Sequence, residues 1–456
     1  MVGSLLVDNY YLYWLACFYV AYFKMDTYSL LIHSARQIVQ VVAKGERALR
    51  GRDMSTIAVL EGSDSEYLSL LVNRKGLIED FGTDTEVQLR HPDLKVDRRI
   101  DASGKCIIPG LVDAHTHPVW AGDRVHEFAM KLAGATYMEV HKAGGGIHFT
   151  VDHTRHASEE ELYCSFKKRL GTMIETGTTL VECKSGYGLD MDTEIKMLRV
   201  IERARRDFHI DISSTYCGAH AVPKGKTSAE ATEDVINAQL PRIKKLMNDG
   251  ELMVDNIDVF CEQGVFDTEQ SRRILQAGKE MGLLINFHGD ELHPTHSAEM
   301  GAELSATAIS HLEEISDDGI AAMVESGSVG VILPTTAYIL RLNPPPVRKM
   351  IDSGMAVALG SDFNPNAYCM SMPLVMHLAC VLLKMSMPEA LAAATINSAA
   401  ALGKADMHGS IERGKYANLM VINANRWEHL IYQMGCHDEV IQFVIYHGSV
   451  VHERSS

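Results

Sequence analysis

The pattern of apolar and polar positions changes near residue 107. Beyond it, short apolar runs alternate with amphipathic stretches of helical period, such as Glu159 to Glu175 and Thr193 to Arg206. That alternation predicts βαβ units with parallel strands. The apolar runs number eight: Ile107 to Asp113, Thr179 to Cys183, Ile212 to Tyr216, Ile257 to Cys261, Leu284 to Phe287, Ala308 to Ser310, Val329 to Leu333 and Ala356 to Leu359. Together they predict an α/β fold, a closed (β/α)₈ barrel of the TIM type whose working residues lie where the strands end.

Both ends of the chain carry a different pattern, in which short β-prone runs are separated by turn signals. These runs are Ile38 to Val42, Ile57 to Leu60, Tyr67 to Asn73 and Leu77 to Phe81, then Leu419 to Ile422, Val440 to Ile445 and Ser449 to His452. We expect the two sets to pair into one small β domain. The expected division is an extension at 1–24, the first part of the β domain at 25–106, the barrel at 107–405 and the second part of the β domain at 406–456.

The first residues include an uncharged, aromatic-rich run from Tyr10 to Phe23. It is shorter than the roughly 18 residues that a membrane-spanning helix needs, and Asp8 stands where a signal peptide carries positive charge. The alternatives are an unusual N-terminal extension, which a faulty gene model could produce, and a membrane anchor. We favour an atypical extension and expect no membrane association.

Composition narrows the function classes. The net charge of −16 and the pI of about 5.7 disfavour a nucleic-acid surface, which needs clustered Lys and Arg, and favour a small-molecule site. The nine cysteines include no Cys-x-x-Cys pair, which argues against a disulfide framework and a thiolate zinc site. We therefore expect a reducing compartment, the cytosol.

The first barrel run ends in His115-Thr116-His117. Side chains two residues apart on a strand point to the same face, so both imidazoles can reach one metal ion. His288 follows the fifth run and Asp362 the eighth. Three imidazoles and one carboxylate at one rim suit a divalent metal with room left for a water molecule. Such a metal lowers the pKa of its water from about 15.7 to about 7, which hydrolysis requires.

Two more residues at this rim are candidates for catalysis. His311 leaves the sixth run, where it could touch the same water or the developing oxyanion. Glu291 follows His288 by three residues and could pass a proton to a substrate nitrogen. The structural alternatives are a hydrogen-bonded histidine and a carboxylate that orients a metal ligand.

These strand-end residues resemble the pattern of the amidohydrolase superfamily: His-x-His, a fifth-strand His, a sixth-strand His and an eighth-strand Asp. Many members hold two metals bridged by a carboxylated lysine of strand four. Here that run ends Val259-Phe260-Cys261-Glu262, without lysine, so the resemblance implies a single metal ion. It implies metal-dependent hydrolysis of a C–N bond. A nucleobase or triazine deaminase and a non-catalytic scaffold remain as alternatives.

Other segments favour one branch of the superfamily. Arg124 follows His117 by seven residues and could bind a substrate carboxylate, with a surface ion pair as the alternative. Together with the segments at 134–137, 143–147, 182–188 and 218–220, this loop resembles the cyclic amidases of histidine degradation, from about residue 27 to the C-terminus. Those enzymes hydrolyse 4-imidazolone-5-propanoate to N-formimidoyl-L-glutamate.

The finer resemblance implies roles residue by residue. One Zn²⁺ or Fe³⁺ ion would be held by His115, His117, His288 and Asp362. The small anionic substrate would contact Arg124, Tyr137, Tyr187, His220 and Glu291, while the product would contact Asn364, Asn366 and Ala367. Ala367 stands where some relatives have a hydroxyl residue, so its side chain cannot make that hydrogen bond. The resemblance also allows a homodimer.

The mechanism that this resemblance implies is a hydrolytic ring opening. Asp362 and His311 would orient a metal-activated water towards the ring carbonyl, and His311 would help to stabilise the oxyanion. Either Glu291 or Asp362 would then deliver a proton to the leaving ring nitrogen.

Overall fold

A computed structural model describes residues 27–134 and 145–454. Its first strands belong to two small sheets. They are β1 (Thr27–Ala35), β2 (Gln37–Val41), β3 (Ala58–Glu61), β4 (Leu68–Asn73), β5 (Ile78–Thr83), β6 (Lys95–Asp101) and β7 (Cys106–Pro109). The apolar runs located four of these strands, and β1 and β6 were missed. β6 alternates charged residues on an exposed edge, so it has no apolar run to detect.

Eight parallel strands follow in chain order, each hydrogen-bonded to the next, which confirms the predicted barrel. Several are buried along their whole length because helices cover the outside of the sheet. The strands are β8 (Leu111–Asp113), β9 (Thr178–Lys184), β10 (Asp211–Ala219), β11 (Asn256–Cys261), β12 (Leu284–Gly289), β13 (Ala308–His311), β14 (Val329–Ile332) and β15 (Ala356–Leu359).

The prediction of one strand from Ile107 to Asp113 was wrong. The run divides at Gly110 into β7, which pairs with small-sheet strands, and β8, which enters the barrel. A Cβ at Gly110 would lie 2.2 Å from Thr179 Oγ1, so only glycine fits where the chain passes between the sheets. The domain limits stay a prediction, and β7 would move the first one to Gly110.

The last strands are β16 (Leu419–Ile422), β17 (Ile441–Tyr446) and β18 (Ser449–Glu453). They join β7, β2 and β3 in a six-stranded sheet of order β18-β17-β16-β7-β2-β3, while β5-β4-β1-β6 form a second sheet. Both chain ends therefore build one small β structure, as the sequence predicted.

Helices connect the barrel strands and cover the sheet. The long helix over Glu159–Glu175 has the predicted bounds, because Ser158 and Glu161 form a capping box at its start. The helices are α1 (Asp84–Arg90), α2 (Val125–Leu132), α3 (Ile147–His156), α4 (Glu159–Glu175), α5 (Met191–Asp207), α6 (Ser228–Asp234), α7 (Leu240–Asn248), α8 (Thr268–Glu280), α9 (Ser297–Glu303), α10 (Asp317–Ser326), α11 (Pro334–Leu340), α12 (Val347–Asp352), α13 (Met372–Leu383), α14 (Met387–Ala393), α15 (Ile396–Ala401), α16 (His429–Tyr432) and α17 (His437–Val440).

Hydrogen bonds at the carboxyl ends of β8 and β15 close the barrel. The Asp362 N–H donates to the His115 carbonyl at 2.9 Å, and the His117 N–H donates to the Phe363 carbonyl at 2.8 Å. The closure brings the residues that follow the first and last barrel strands to one point of the rim. Within residues 27–134 and 145–454, no helix is long and apolar enough to cross a membrane.

Candidate metal centre and active site

The four predicted metal ligands converge at this rim. Asp362 Oδ1 lies 3.6 Å from His115 Nε2 and 3.7 Å from His117 Nε2. His117 Nε2 lies 3.2 Å from His288 Nε2. All four side chains are buried. The structure thus brings together residues from strands one, five and eight.

The chemistry of these donors fits a metal ion. Within the described residues, both ring nitrogens of His115 and Nδ1 of His117 are buried without a hydrogen-bond partner. Burial, helped by neighbouring positive charges, lowers the pKa of both imidazoles well below the usual 6.5, so their lone pairs are free to coordinate. The donor atoms of His115, His117 and Asp362 lie within 4.8 Å of one another. Three nitrogens and one carboxylate oxygen match the ligand sets of hydrolytic metal sites.

His288 is oriented by Asp258 of β11, a residue that the sequence prediction missed. The backbone N–H of His288 donates to Asp258 Oδ1 at 3.1 Å, and its Nδ1–H donates to the same oxygen at 2.9 Å. This leaves the lone pair on Nε2, which faces His117. A carboxylate inside the apolar run Ile257-Asp258-Val259 was the available signal.

His311 and Glu291 lie side by side, with 3.4 Å between His311 Nε2 and Glu291 Oε2. The His311 ring stacks on that of His288, with 5.2 Å between ring centroids. On its other side, His311 Nδ1 lies 3.7 Å from Glu313 Oε2. The two predicted catalytic residues therefore adjoin the candidate metal ligands.

Both members of the Glu291–His311 pair have raised pKa values, so both bind a proton at neutral pH. Burial raises the pKa of Glu291 to about 8. Burial alone would lower the pKa of His311, but the carboxyl groups of Glu291 and Glu313 outweigh it and raise that pKa to about 10. Strongly perturbed groups in one cleft are typical of catalytic sites.

Asp362 is held by its surroundings. The Thr336 hydroxyl donates to Asp362 Oδ2, and the Asn364 side-chain amide donates to the Asp362 carbonyl at 2.7 Å. Asn364 Oδ1 accepts from the backbone N–H groups of Asn366 and Ala367, at 2.7 and 3.1 Å. The side chain of Asn364 thus shapes its own loop, and its predicted contact with the product stays a prediction.

Tyr187 and His220 lie next to each other and to His117. The rings of His220 and His117 are stacked, with 4.5 Å between centroids and 14° between planes. His220 Nδ1 donates to the Gly186 carbonyl at 3.0 Å, which fixes the tautomer. The Tyr187 ring centroid lies 5.9 Å from that of His117, and burial raises the pKa of its hydroxyl. Tyr187 therefore stays a hydrogen-bond donor.

Arg124 is less free than the sequence suggested. Its guanidinium makes two hydrogen bonds to Glu127, at 2.9 and 2.7 Å, and the Gly146 N–H also donates to that carboxylate at 2.9 Å. The pair is buried, with side chains 10% and 1% exposed, so it is not the surface ion pair considered as the alternative. The positive charge of Arg124 still acts on Tyr187. Tyr137 lies outside the described residues.

A second guanidinium near Tyr187 was missed. Arg169 of α4 stacks on the Trp120 ring, 3.5 Å from its centroid, and donates to the carbonyls of Pro118 and Trp120 at 2.7 and 3.1 Å. It is buried, and in the described parts of the chain no carboxylate pairs with it. Its charge also reaches the Tyr187 hydroxyl. Arg169 therefore holds the loop that joins His117 to Arg124.

Comparison with known sequences agrees with this geometry. Residues 106–451 match the family model described as the amidohydrolase family. The chain is 63% identical over 429 residues to a protein of Mus musculus named probable imidazolonepropionase, covering 94% of this chain and 100% of that one. It is 51% identical over 430 residues to a Dictyostelium discoideum protein of the same name, covering 94% and 99%. The resemblance drawn from the strand-end residues is confirmed.

Solved structures support the fold. An adenosine deaminase from Xanthomonas campestris with bound zinc superimposes with a TM-score of 0.70, covering 93% of each chain at 17% sequence identity. An Escherichia coli guanine deaminase does so with a TM-score of 0.65, covering 93% of this chain and 99% of that one at 17% identity. At such identities the likeness concerns the fold alone.

Proposed function

The chain belongs to the amidohydrolase family and, within it, to the imidazolonepropionases, and on this premise we propose that it hydrolyses 4-imidazolone-5-propanoate to N-formimidoyl-L-glutamate. It is a metal-dependent hydrolase acting on a C–N bond of a cyclic amide. One observation carries the proposal: neutral, buried imidazoles and the carboxylate of Asp362 converge directly beside the Glu291–His311 pair.

We propose His115, His117, His288 and Asp362 as the ligands of one Zn²⁺ or Fe³⁺ ion. When bound, the ion acts as a Lewis acid, which polarises a carbonyl group and lowers the pKa of water towards neutrality. Its identity follows from availability as well as from the ligands, because these donors suit both metals.

The residues around the ion divide the proton transfers. Asp362 accepts a proton from the attacking water, and His311 donates a hydrogen bond to the oxygen that becomes negative on the ring carbonyl. Glu291, protonated because burial raises its pKa to about 8, delivers a proton to the leaving ring nitrogen. The water oxygen bonds to the carbonyl carbon, and the C–N bond breaks.

The propanoate group requires an electropositive region, which Tyr187 and two guanidiniums supply in this proposal. Arg124 would share its donors between Glu127 and the substrate, while Arg169 contributes charge without an acidic partner among the described residues. His220, next to Tyr187, would accept a hydrogen bond through Nε2 at the other edge of the substrate, because its Nδ1–H is bonded to the Gly186 carbonyl. Tyr137, Asn364, Asn366 and the backbone of Ala367 remain proposed contacts.

A direct assay tests the proposed reaction. The purified full-length protein, loaded with Zn²⁺, should remove the ultraviolet absorbance of imidazolone propanoate without releasing ammonia. Protein treated with a chelator should lose this activity and regain it on metal addition. Release of one ammonia per turnover would instead identify a deaminase and overturn the proposal.

We also propose a cytosolic location and a homodimer. All eight cysteines in the described part of the chain are free thiols, which suits a reducing compartment. Val381, Leu382, Tyr432 and Met434 expose apolar side chains that a second copy could cover. Cell fractionation tests the location, and membrane attachment would contradict it. Light scattering tests the dimer, and a monomer at micromolar concentration would contradict it.

A further inference from the structure

We infer that a buried chain of polar groups under the rim, Thr116–Glu182–Lys184–Asp258–His288, positions three of the four metal ligands as one unit. The inference rests on the proposed function, since it takes these histidines to be ligands. Glu182 and Lys184 lie on β9 and Asp258 on β11, and all five residues are no more than 3% exposed. Thr116, Glu182, Lys184 and Asp258 are positioning residues, because they act on the ion only through the three histidines.

At one end of this chain, Asp258 fixes His288. A single carboxylate oxygen, Oδ1, accepts both the backbone N–H and the Nδ1–H of His288. The two bonds set the ring orientation and force the proton onto Nδ1, so that Nε2 keeps its lone pair. A carboxylate that accepts a hydrogen bond from a ligating imidazole also makes that imidazole a better donor to a metal ion.

In the middle, Lys184 joins two carboxylates. Its Nζ lies 2.7 Å from Asp258 Oδ2 and 2.6 Å from Glu182 Oε1. All three charged side chains have no exposed surface. Removing the ammonium would leave two uncompensated carboxylates in the barrel interior, which is strongly unfavourable. Lys184 therefore keeps Asp258 ionised and fixed in the position from which it holds His288.

At the other end, Glu182 fixes the His-x-His segment. Its Oε2 accepts the backbone N–H of Thr116 at 3.1 Å, and its Oε1 accepts the Thr215 hydroxyl at 2.5 Å. The Thr116 hydroxyl returns a hydrogen bond to the Glu182 carbonyl at 2.5 Å. Because Thr116 stands between His115 and His117, its peptide unit sets where both imidazoles point. Strands one, two, four and five are thus tied together directly beneath the candidate metal centre.

The test measures Zn²⁺ affinity of the full-length protein by competition with a chromogenic chelator. Asp258→Asn keeps the shape but removes the charge that Lys184 and His288 share, and we expect the Zn²⁺ dissociation constant to rise about 10- to 100-fold. When Zn²⁺ is saturating, kcat of Asp258→Asn should lie closer to the wild-type value than its Zn²⁺ affinity does, and KM should change little. A residue that served only the stability of the fold would not produce this split.

Two further variants keep the test decisive. Glu182→Gln combined with Lys184→Met removes one charge of each sign, so it retains the net charge while breaking the bridge that Lys184 makes between Glu182 and Asp258; it should also weaken Zn²⁺ binding at least 10-fold. Asp80→Asn is the matched control, because Asp80 is a buried, ion-paired carboxylate on β5, which belongs to the four-stranded sheet and not to the barrel. It should leave Zn²⁺ affinity unchanged.

The outcomes separate this inference from the proposed function. Wild-type affinity in a folded Asp258→Asn protein, or in the double variant if Asp258→Asn does not fold, overturns the inference alone. A wild-type protein that binds no Zn²⁺ overturns the proposed function and this inference together. Weaker binding in both variants, with the control unaffected, supports the inference.

Discussion

Three residues at the rim adopt backbone conformations that L-amino acids rarely take. The φ angles are 48° at Asp290, 79° at His311 and 47° at Asp362. Each such conformation costs about 1–3 kcal/mol and persists only where the surroundings enforce it. At two of these exits a backbone hydrogen bond crosses the rim: the Leu312 N–H donates to the Gly289 carbonyl, and the Phe363 carbonyl accepts the His117 N–H. The site therefore stores strain in the turns that aim its side chains.

At this scale the sequence predicted where the proposed metal ligands lie better than it predicted the residues that form hydrogen bonds to the site residues. His115, His288 and Asp362 come within three residues of the ends of apolar runs, so the order of strands placed them at one rim. The partner of Arg124 was not predicted, because a glutamate three residues ahead on a helix can pair either with its neighbour or with solvent. The Gly146 N–H, which comes from a segment distant in sequence, donates to that buried glutamate.

Glu291 should govern the alkaline side of the pH profile. Burial raises its pKa above the usual 4.5 to about 8, so the carboxyl is protonated at neutral pH and loses its proton as the pH rises through that value. We expect kcat/KM of the wild type, which reports ionisation of the free enzyme, to fall above about pH 8. Glu291→Gln should lower kcat about 10²- to 10⁴-fold and remove this alkaline limb. Steady-state kinetics between about pH 6 and pH 9.5 measure both effects.

Asp362→Asn serves as the comparison for this prediction. It removes the acceptor for the water proton and one metal donor, so activity should fall at every pH and Zn²⁺ binding should weaken. Turnover unchanged in Glu291→Gln would exclude Glu291 as the proton donor and leave that role to Asp362.

At the scale of elements, α5 shapes the loop that carries Tyr187. The buried carboxylate of Glu194 accepts the backbone N–H groups of Gly186, Gly188 and Leu189, at 2.9, 2.7 and 2.8 Å. The Gly186 carbonyl in turn holds His220. One helix residue thus sets the position of two proposed substrate contacts.

Glu194→Gln should therefore affect binding more than chemistry. An amide oxygen is a weaker acceptor than a carboxylate, and the amide N–H₂ would face backbone donors, so the loop should move. We expect KM for imidazolone propanoate to rise about 10-fold, with kcat within about 3-fold of wild type. Steady-state kinetics check this, with Asp192→Asn, an exposed carboxylate on the same helix, as control. An unchanged KM would show that the loop at residues 186–189 does not contribute to substrate binding.

Elements with a buried face on both sides were the predictable ones. The runs that became β14 and β15, Val329 to Leu333 and Ala356 to Leu359, consist of apolar residues and one glycine, as buried parallel strands require. The break at Gly110 was not predicted, although Pro109-Gly110 interrupts the apolar run and a Pro-Gly pair is a local turn signal. The requirement for glycine there depends on Thr179 of the neighbouring strand, which the sequence around residue 110 does not reveal.

At the scale of the whole molecule, polar groups join parts of the chain that are far apart in sequence. Asp80, which is 5% exposed on β5, accepts hydrogen bonds from Arg90 of α1 and from Arg413, which precedes β16. His91 lies 3.1 Å from the same carboxylate. The apolar patterns predicted that the chain ends would pair, but not this link, since it joins residues 333 positions apart.

Asp80→Asn should destabilise the protein in a pH-dependent way. Burial alone would raise the pKa of Asp80, but the guanidiniums of Arg90 and Arg413 outweigh it and hold that pKa below its usual 3.8. A carboxyl with a lowered pKa stabilises the fold above its unfolded-state value, and this contribution is lost as the pH falls below it. We expect the free energy of unfolding to drop by about 2 kcal/mol at neutral pH, and the difference from wild type to shrink below about pH 4. Urea unfolding across this pH range measures the difference in the free energy of unfolding.

The control is Arg74→Met, which breaks an ion pair between Arg74 and Asp97, whose side chains are 57% and 58% exposed. It should change the free energy of unfolding by no more than about 0.5 kcal/mol. If Asp80→Asn and Arg74→Met were equally stable, the buried Asp80 cluster would contribute no more than an exposed ion pair, and the pairing of the chain ends would depend on the strand pairing of β7 with β16 and on the apolar cluster around these strands.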